Sequence, residues 1–318
     1  MKQKILTMMA LICLCFATLA AISIQAGQTA EVTDSPTPPS GPPASQLLPM
    51  PSLPDSISAP VSEVPFGCML QPVPNPPPAR SSPTPIQLPL SRFRQPSNTT
   101  LTSGGAASRA PSYTPREVIE LADLTNFGER YLRDVRGRSA VHDPIVVLHE
   151  TVGSAQSAVN YFQTPHPRDE DQVSYHTLIR EDGTVIYLVP PDKRAYGAGD
   201  SVFRSATGIE EAVQTNPNFP PSVNNFAYHI SLETPADGDN NNTSHSGYTN
   251  AQYQSLAWLV AKTGVPDSRI TMHKTVDRSG QRMDPRSFNT QLFLTVLKTY
   301  PKTREISISC LPPETAQQ

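Results

Sequence analysis

Residues 113–301 read as one α/β domain, a mixed central β-sheet flanked by helices, set behind a long proline-rich N-terminal stretch. Two patterns carry that reading. Short apolar runs of strand length alternate with segments whose apolar residues recur at helical spacing, which places helices against a sheet. The runs at 175–180 and 185–189 flank Glu181, Asp182 and Gly183, a hairpin signature that puts at least one antiparallel pair in that sheet.

The first 26 residues have the features of an export signal: Lys2 and Lys4, then an apolar stretch at 5–24, then small residues around Ala26 and Gly27. Export is therefore expected. Left uncleaved, residues 5–24 would serve as a membrane tether, being close to the roughly 20 residues a spanning helix needs. Residues 27–112 form a linker. More than half of the 35 prolines lie between 36 and 115, and runs such as 36–43 and 72–78 lack apolar periodicity and remove backbone donors. Polyproline II or disorder is expected there, a spacer reaching about 3.1 Å per residue where extended. Cys13 and Cys15 sit inside the apolar segment as filler. Cys68 in the linker and Cys310 in the tail, 302–318, would be permitted to pair in an oxidising compartment. The formal net charge of -3 and a pI near 6.2, with no basic stripe, exclude nucleic acid as the expected partner.

Within the domain, Thr114, Pro115 and Glu117 resemble a capped helix start, and Ile119, Leu121, Leu124 and Phe127 continue it at helical spacing. The run from Pro144 to His149 reads as a buried strand that delivers a polar side chain at its C-terminal edge. A helix is predicted over 154–164, the hairpin over 175–189, and a strand over 226–232. Helical spacing of Tyr253, Leu256, Ala257 and Val260 predicts a helix over 249–263 that stops at Gly264. A short run ends at His273, and a last helix covers 288–297. No internal repeat is evident.

His149 and His273 each end an apolar run, and Asp284 follows in a loop-prone stretch. Two imidazoles and a carboxylate are suitable zinc ligands, and three of them leave a fourth position open, the form of a catalytic site. Spacing alone does not decide this, since no short metal motif is present. In the 227–233 strand, period-two geometry points Tyr228, Ile230 and Leu232 one way and His229, Ser231 and Glu233 the other. The second face is too polar for an ordinary core, so it reads either as a solvent-facing surface or as a cleft floor.

The segments 145–152, 173–184, 192–199, 270–273 and 283–288 resemble, in order, successive blocks of the type 2 N-acetylmuramoyl-L-alanine amidases, a family that includes phage-lysozyme-type amidases and is related to the peptidoglycan recognition proteins. The resemblance implies a single catalytic domain holding Zn²⁺ by His149, His273 and Asp284. It further implies hydrolysis of the amide joining N-acetylmuramic acid to L-alanine in peptidoglycan or muropeptides, and an exported enzyme in the periplasm, at the cell wall or outside the cell. One branch carries a catalytic glutamate where Ser231 aligns; Glu233, one pleat further along, is the candidate to take that proton-shuttling role, provided the strand end curls inward. The phage-lysozyme-type branch instead uses a tyrosine at the position of Tyr175, which is the favoured helper, with His176 facing the opposite way as a structural histidine. Two further departures stand out. The family's tryptophan-histidine-alanine-glycine block is Tyr196, Gly197, Ala198 and Gly199 here, and the lysine two residues before the last ligand is Arg282, which keeps the charge but not the ammonium geometry. A non-catalytic peptidoglycan-binding module of the same fold is the alternative; binding-only relatives commonly lose the third ligand, which is present here as Asp284.

Overall fold

The computed structural model describes residues 67–73, 86–96 and 112–308. All of them fall in one compact unit, Ser58–Gln318. The expected signal, most of the expected linker and Cys310 lie outside the described residues; Cys68 is disulfide-bonded. Among the described residues no helix is long and apolar enough to cross a membrane.

In chain order the strands are β1 (Glu117–Ile119), β2 (Phe127–Glu129), β3 (Ile145–Glu150), β4 (Thr177–Ile179), β5 (Val185–Tyr187), β6 (Lys193–Ala195), β7 (Phe203–Arg204), β8 (Glu210–Glu211), β9 (Ala227–Leu232) and β10 (Ile270–Met272). The helices are α1 (Ala155–Gln163), α2 (Asn250–Thr263), α3 (His273–Val276) and α4 (Thr290–Leu297). Six strands form the central sheet in the order β1-β5-β4-β9-β3-β10. Strands β4, β9, β3 and β10 run parallel, β5 pairs antiparallel with β4, and β1 runs parallel with β5. The expected mixed sheet with its hairpin is thus present.

Strands β3 and β9 lie at the centre, and every residue of both is buried. Parallel strands covered on both faces require that composition. Val146, Leu148, Tyr228, Ile230 and Leu232 join one apolar cluster with α2 and α4. Ile145, Val147 and Ala227 point the other way, into a cluster with Phe203, Val223, Phe226 and Val276. By alternation His149, His229 and Ser231 share this second side. All three are fully buried, so the polar face of β9 is interior rather than solvent-facing.

Helix α1 covers Leu178, Ile186 and Leu188 through Val159 and Phe162. Helix α2 starts with a capping box between Thr249 and Gln252, the reciprocal arrangement that satisfies two orphan N–H groups. It stops at Gly264, whose φ of 67° suits glycine and where a Cβ would meet Thr303 O at 2.6 Å.

Two expectations need correction. The opening helix at 114–127 does not form: residues 117–119 are strand β1. Val185 N donates to Arg116 O and Glu120 N donates to Tyr187 O, so pairing at the sheet edge outweighs the local capping pattern. The Glu117 carboxylate, expected in a capping box, instead accepts from Arg94 Nε at 2.7 Å and from Tyr187 OH at 2.7 Å.

The second correction concerns the boundary at 112/113. Phe93 is only 1% exposed and lies 5.3 Å from the Tyr187 ring centroid to centroid. Arg92 forms a buried ion pair with Asp192, and the Arg94 guanidinium sits over Trp258 at 5.3 Å. On the C-terminal side, Ile306 and Ile308 are buried in the same cluster. Proline density marks where helices and sheets stop, but three well-placed side chains between prolines suffice to anchor a segment to a core.

Candidate metal centre

His149 is the fifth residue of β3, and His273 is the first residue of α3, directly after β10. Strands β3 and β10 are adjacent and in register from Ile270 opposite Val146 to Met272 opposite Leu148. The two imidazoles therefore emerge side by side at the C-terminal ends of parallel strands, with ring centroids 4.6 Å apart. Asp284 is brought over them by the loop after α3. Asp277 accepts from the Ser279, Gln281 and Arg282 amides, and Lys274 N donates to Asp284 O at 2.9 Å.

Asp284 Oδ2 lies 3.2 Å from His149 Nδ1 and 3.0 Å from His273 Nδ1. One ligand atom from each residue falls within 4.8 Å of the others. Burial costs an imidazolium its hydration and brings His149 down to about 4, against the favourable carboxylate of Asp284. For Asp284 burial acts upward, but hydrogen bonds from His149 and His273 outweigh it and hold the carboxyl well below the usual range. A neutral imidazole and an ionised carboxylate are the forms that ligate a metal, so the donor set fits a divalent ion such as zinc.

These shifts have a sign. Between pH 6.5 and about 4 the unfolded chain binds a proton at this histidine that the folded chain does not, so stability falls as pH falls through that window. Asp284 extends the loss below its ordinary 3.8. Metal-free protein is expected to lose on the order of 3 kcal/mol from His149 alone across this range. Thermal melts between pH 7 and 4 check it, and His149→Gln should make the fall shallower, with burial of His176 and His229 supplying the remainder; a wild-type melting temperature unchanged over that range would refute it.

The remaining residues named by sequence fall in different places. Tyr175 is partly buried beside the centre, its ring 4.5 Å from His149 and edge-on to Phe162 at 5.4 Å. Burial, aided by the charge of Asp284, raises its hydroxyl pKa. Arg282 is exposed and lines the same cleft of about 650 Å³, together with Tyr175, Tyr196, Gly197 and His273. Glu233 is committed elsewhere: its carboxylate accepts from Ala155 N at 2.7 Å, at the start of α1, and from Glu181 N at 2.9 Å in the hairpin turn. His176 is buried, its Nδ1 accepting from His229 N at 2.9 Å and its Nε2 3.1 Å from Lys193 O.

Sequence reasoning missed the brace behind the centre. Glu150, next to His149, accepts from Tyr248 OH at 2.7 Å, lies 3.0 Å from His245 Nε2, and pairs with Arg286, two residues beyond Asp284. Arg286 also donates to Gly238, Asn240 and Asn242 carbonyls. A charged residue inside a buried strand end was the available signal, since such a group needs a partner.

Comparison with known proteins bears on this geometry. Over 86 residues the chain is 38% identical to the 1,6-anhydro-N-acetylmuramyl-L-alanine amidase AmpD of Escherichia coli (strain K12), a stretch that is 27% of this chain and 35% of that relative. The chain thus spans about a third of the length of the curated relatives it matches. Among solved structures, a selenomethionine AmpD derivative is 24% identical with a TM-score of 0.39, covering 57% of this chain and 94% of that one. The N-acetylmuramoyl-L-alanine amidase LysC from Clostridium intestinale URNW is 22% identical with a TM-score of 0.32, covering 58% and 99%. The matching family model spans residues 142–287, a stretch that contains all three converging side chains. That family model is the one described as N-acetylmuramoyl-L-alanine amidase, and residues 142–287 are the stretch similar to it.

Proposed function

We propose that this chain is an exported, zinc-dependent hydrolase that cleaves the amide between N-acetylmuramic acid and L-alanine in peptidoglycan. The observation that carries the reading is the convergence of His149 Nδ1, His273 Nδ1 and an Asp284 oxygen beside an open cleft, inside the stretch similar to this family. When bound there, zinc supplies Lewis-acid polarisation of a carbonyl and lowers the pKa of water toward about 7.

The chain's own residues supply the rest. His149 and His273 present imidazole nitrogens, and Asp284 brings one negative charge to offset the cation. Tyr175 keeps its proton at neutral pH, because burial disfavours the phenolate, so its hydroxyl is a donor for the oxyanion that develops on the scissile carbonyl. Arg282 adds a positive charge at the cleft wall. Glu233 is held by two backbone N–H groups and serves the fold rather than proton transfer.

Mass spectrometry of digested peptidoglycan, with and without a chelator, tests the reading. The expected products are stem peptides with a free L-alanine amine and glycans with a free lactyl carboxylate, formed only without chelator. Cleavage elsewhere in the stem peptide would sink the proposal. The division of labour is testable too. Tyr175→Phe should keep its zinc and lose roughly 10² to 10³ in kcat, whereas Glu233→Gln should lose about 1 kcal/mol of stability with kcat little changed. Turnover on a defined muropeptide, with metal content checked, decides between them; a dead, zinc-loaded Glu233→Gln beside a near-normal Tyr175→Phe would reverse the roles.

A further inference from the structure

Gly197 and His229 belong to different parts of the chain, yet each accounts for the other. Gly197 stands where the resembled block carries histidine. Its backbone does not require glycine, but space does: a Cβ there would lie 2.5 Å from His229 Cγ and 2.6 Å from Nδ1. The ring of His229 thus occupies the volume that any side chain at 197 would claim.

That ring is fixed on several sides. It is fully buried, it stacks on His176 at 5.7 Å with planes 11° apart, and the residue's backbone N–H donates to His176 Nδ1. Its Nδ1 lies 2.9 Å from His149 Nε2, while its Nε2 finds no hydrogen-bond partner among the described residues. A buried polar nitrogen without a partner is costly, so an apolar side chain would suit this position better if packing were its only role. Among the described residues, the one hydrogen bond the ring makes is with His149.

We propose that His229 is a positioning residue for His149, and that Gly197 is the space that admits it. The inference rests on the metal reading above. Ligation through Nδ1 leaves the single proton of His149 on Nε2, and His229 Nδ1 is the acceptor waiting there. The hydrogen bond fixes the tautomer and turns the ring so that Nδ1 faces Asp284 Oδ2. Histidine is thereby supplied from β9 in place of the one missing at 197. Acceptors behind ligand histidines commonly set ring orientation and basicity, and their loss costs about 10- to 100-fold in metal affinity.

The test is zinc affinity of the full chain, measured by competition with a chromophoric chelator, with thermal melts to confirm folding. His229→Leu, which keeps much of the volume and removes the acceptor, should lose about 10- to 100-fold. His229→Asn, whose amide oxygen accepts, should recover part of it. Gly197→Ala should weaken zinc in the wild-type background and cost little more in His229→Ala, a non-additivity expected only for side chains in contact. Nitrogen chemical shifts of zinc-loaded protein should show His149 protonated on Nε2. Wild-type affinity in His229→Leu, or additive effects of Gly197→Ala and His229→Ala, would overturn the positioning role. A wild type that takes up no zinc would instead overturn the metal reading, and this inference with it.

Discussion

Asp284→Ala is expected to abolish turnover and to lower zinc affinity by more than about 10²-fold, since a direct ligand should matter more than the groups behind one, while the fold stays intact. The size follows from geometry. Asp284 Oδ2 is the single atom that both Nδ1 atoms face, and it carries the only negative charge among the three proposed ligands. The tolerance of the fold follows from location: the side chain sits on a loop, and the backbone bond from Lys274 N to Asp284 O survives truncation at Cβ. Catalytic sites add less to folding than structural ones. Zinc content after dialysis, turnover on a muropeptide and a thermal melt together check the prediction. Full metal occupancy in the variant would show that the third ligand is misassigned.

A chain beginning at residue 112 is expected to fail to fold, whereas one beginning at 66 should fold and hydrolyse muropeptides. Phe93 is as deeply buried as the central strands, and removing a buried phenylalanine side chain typically costs about 3–5 kcal/mol. Asp192 would lose Arg92, its closer buried ion-pair partner, and keep Lys193 at 3.7 Å, so breaking the pair adds a penalty of up to about 3–5 kcal/mol. Against a total stability of about 5–15 kcal/mol, those two losses alone consume most of the margin. The packing of Leu88 and Leu90 would go as well. Equal melting temperatures for the two chains would refute the role given to residues 86–96. The single change Phe93→Ala isolates what the buried ring contributes.

Elements whose residues agree at every level were readable from sequence. The 249–263 helix has a capping residue, helical spacing and a terminating glycine, and it forms as α2 with the capping box present. The strand ending at His149 is an uninterrupted apolar run and forms as β3. The segment at 114–127 shows the limit, because its local signals describe a helix while its neighbours in space offer a strand edge. Local pattern cannot report a partner that lies about 70 residues away in sequence, as Val185 does from Glu117. For the same reason the convergence of His149, His273 and Asp284 was suggested by family blocks rather than by spacing. Glu233 faces the same side as Ser231 by alternation, but only the folded chain brings it to its partners in α1 and the hairpin turn. The pairing of His229 with His149 was likewise invisible, since it depends on the registry of β3 with β9.

Strand β10 is three residues long and, among the described residues, occupies the edge of the sheet and pairs only with β3. Its residues are partly rather than fully buried. His273 follows it directly, and Asp284 is tied to the helix that begins there. Short edge elements open at lower free energy than the core, without unfolding of the whole. Fraying of this edge would release two of the three ligands together and leave His149 in its central strand. A metal held by the proposed ligands would then exchange with solvent through opening of this one edge, without unfolding of the whole domain.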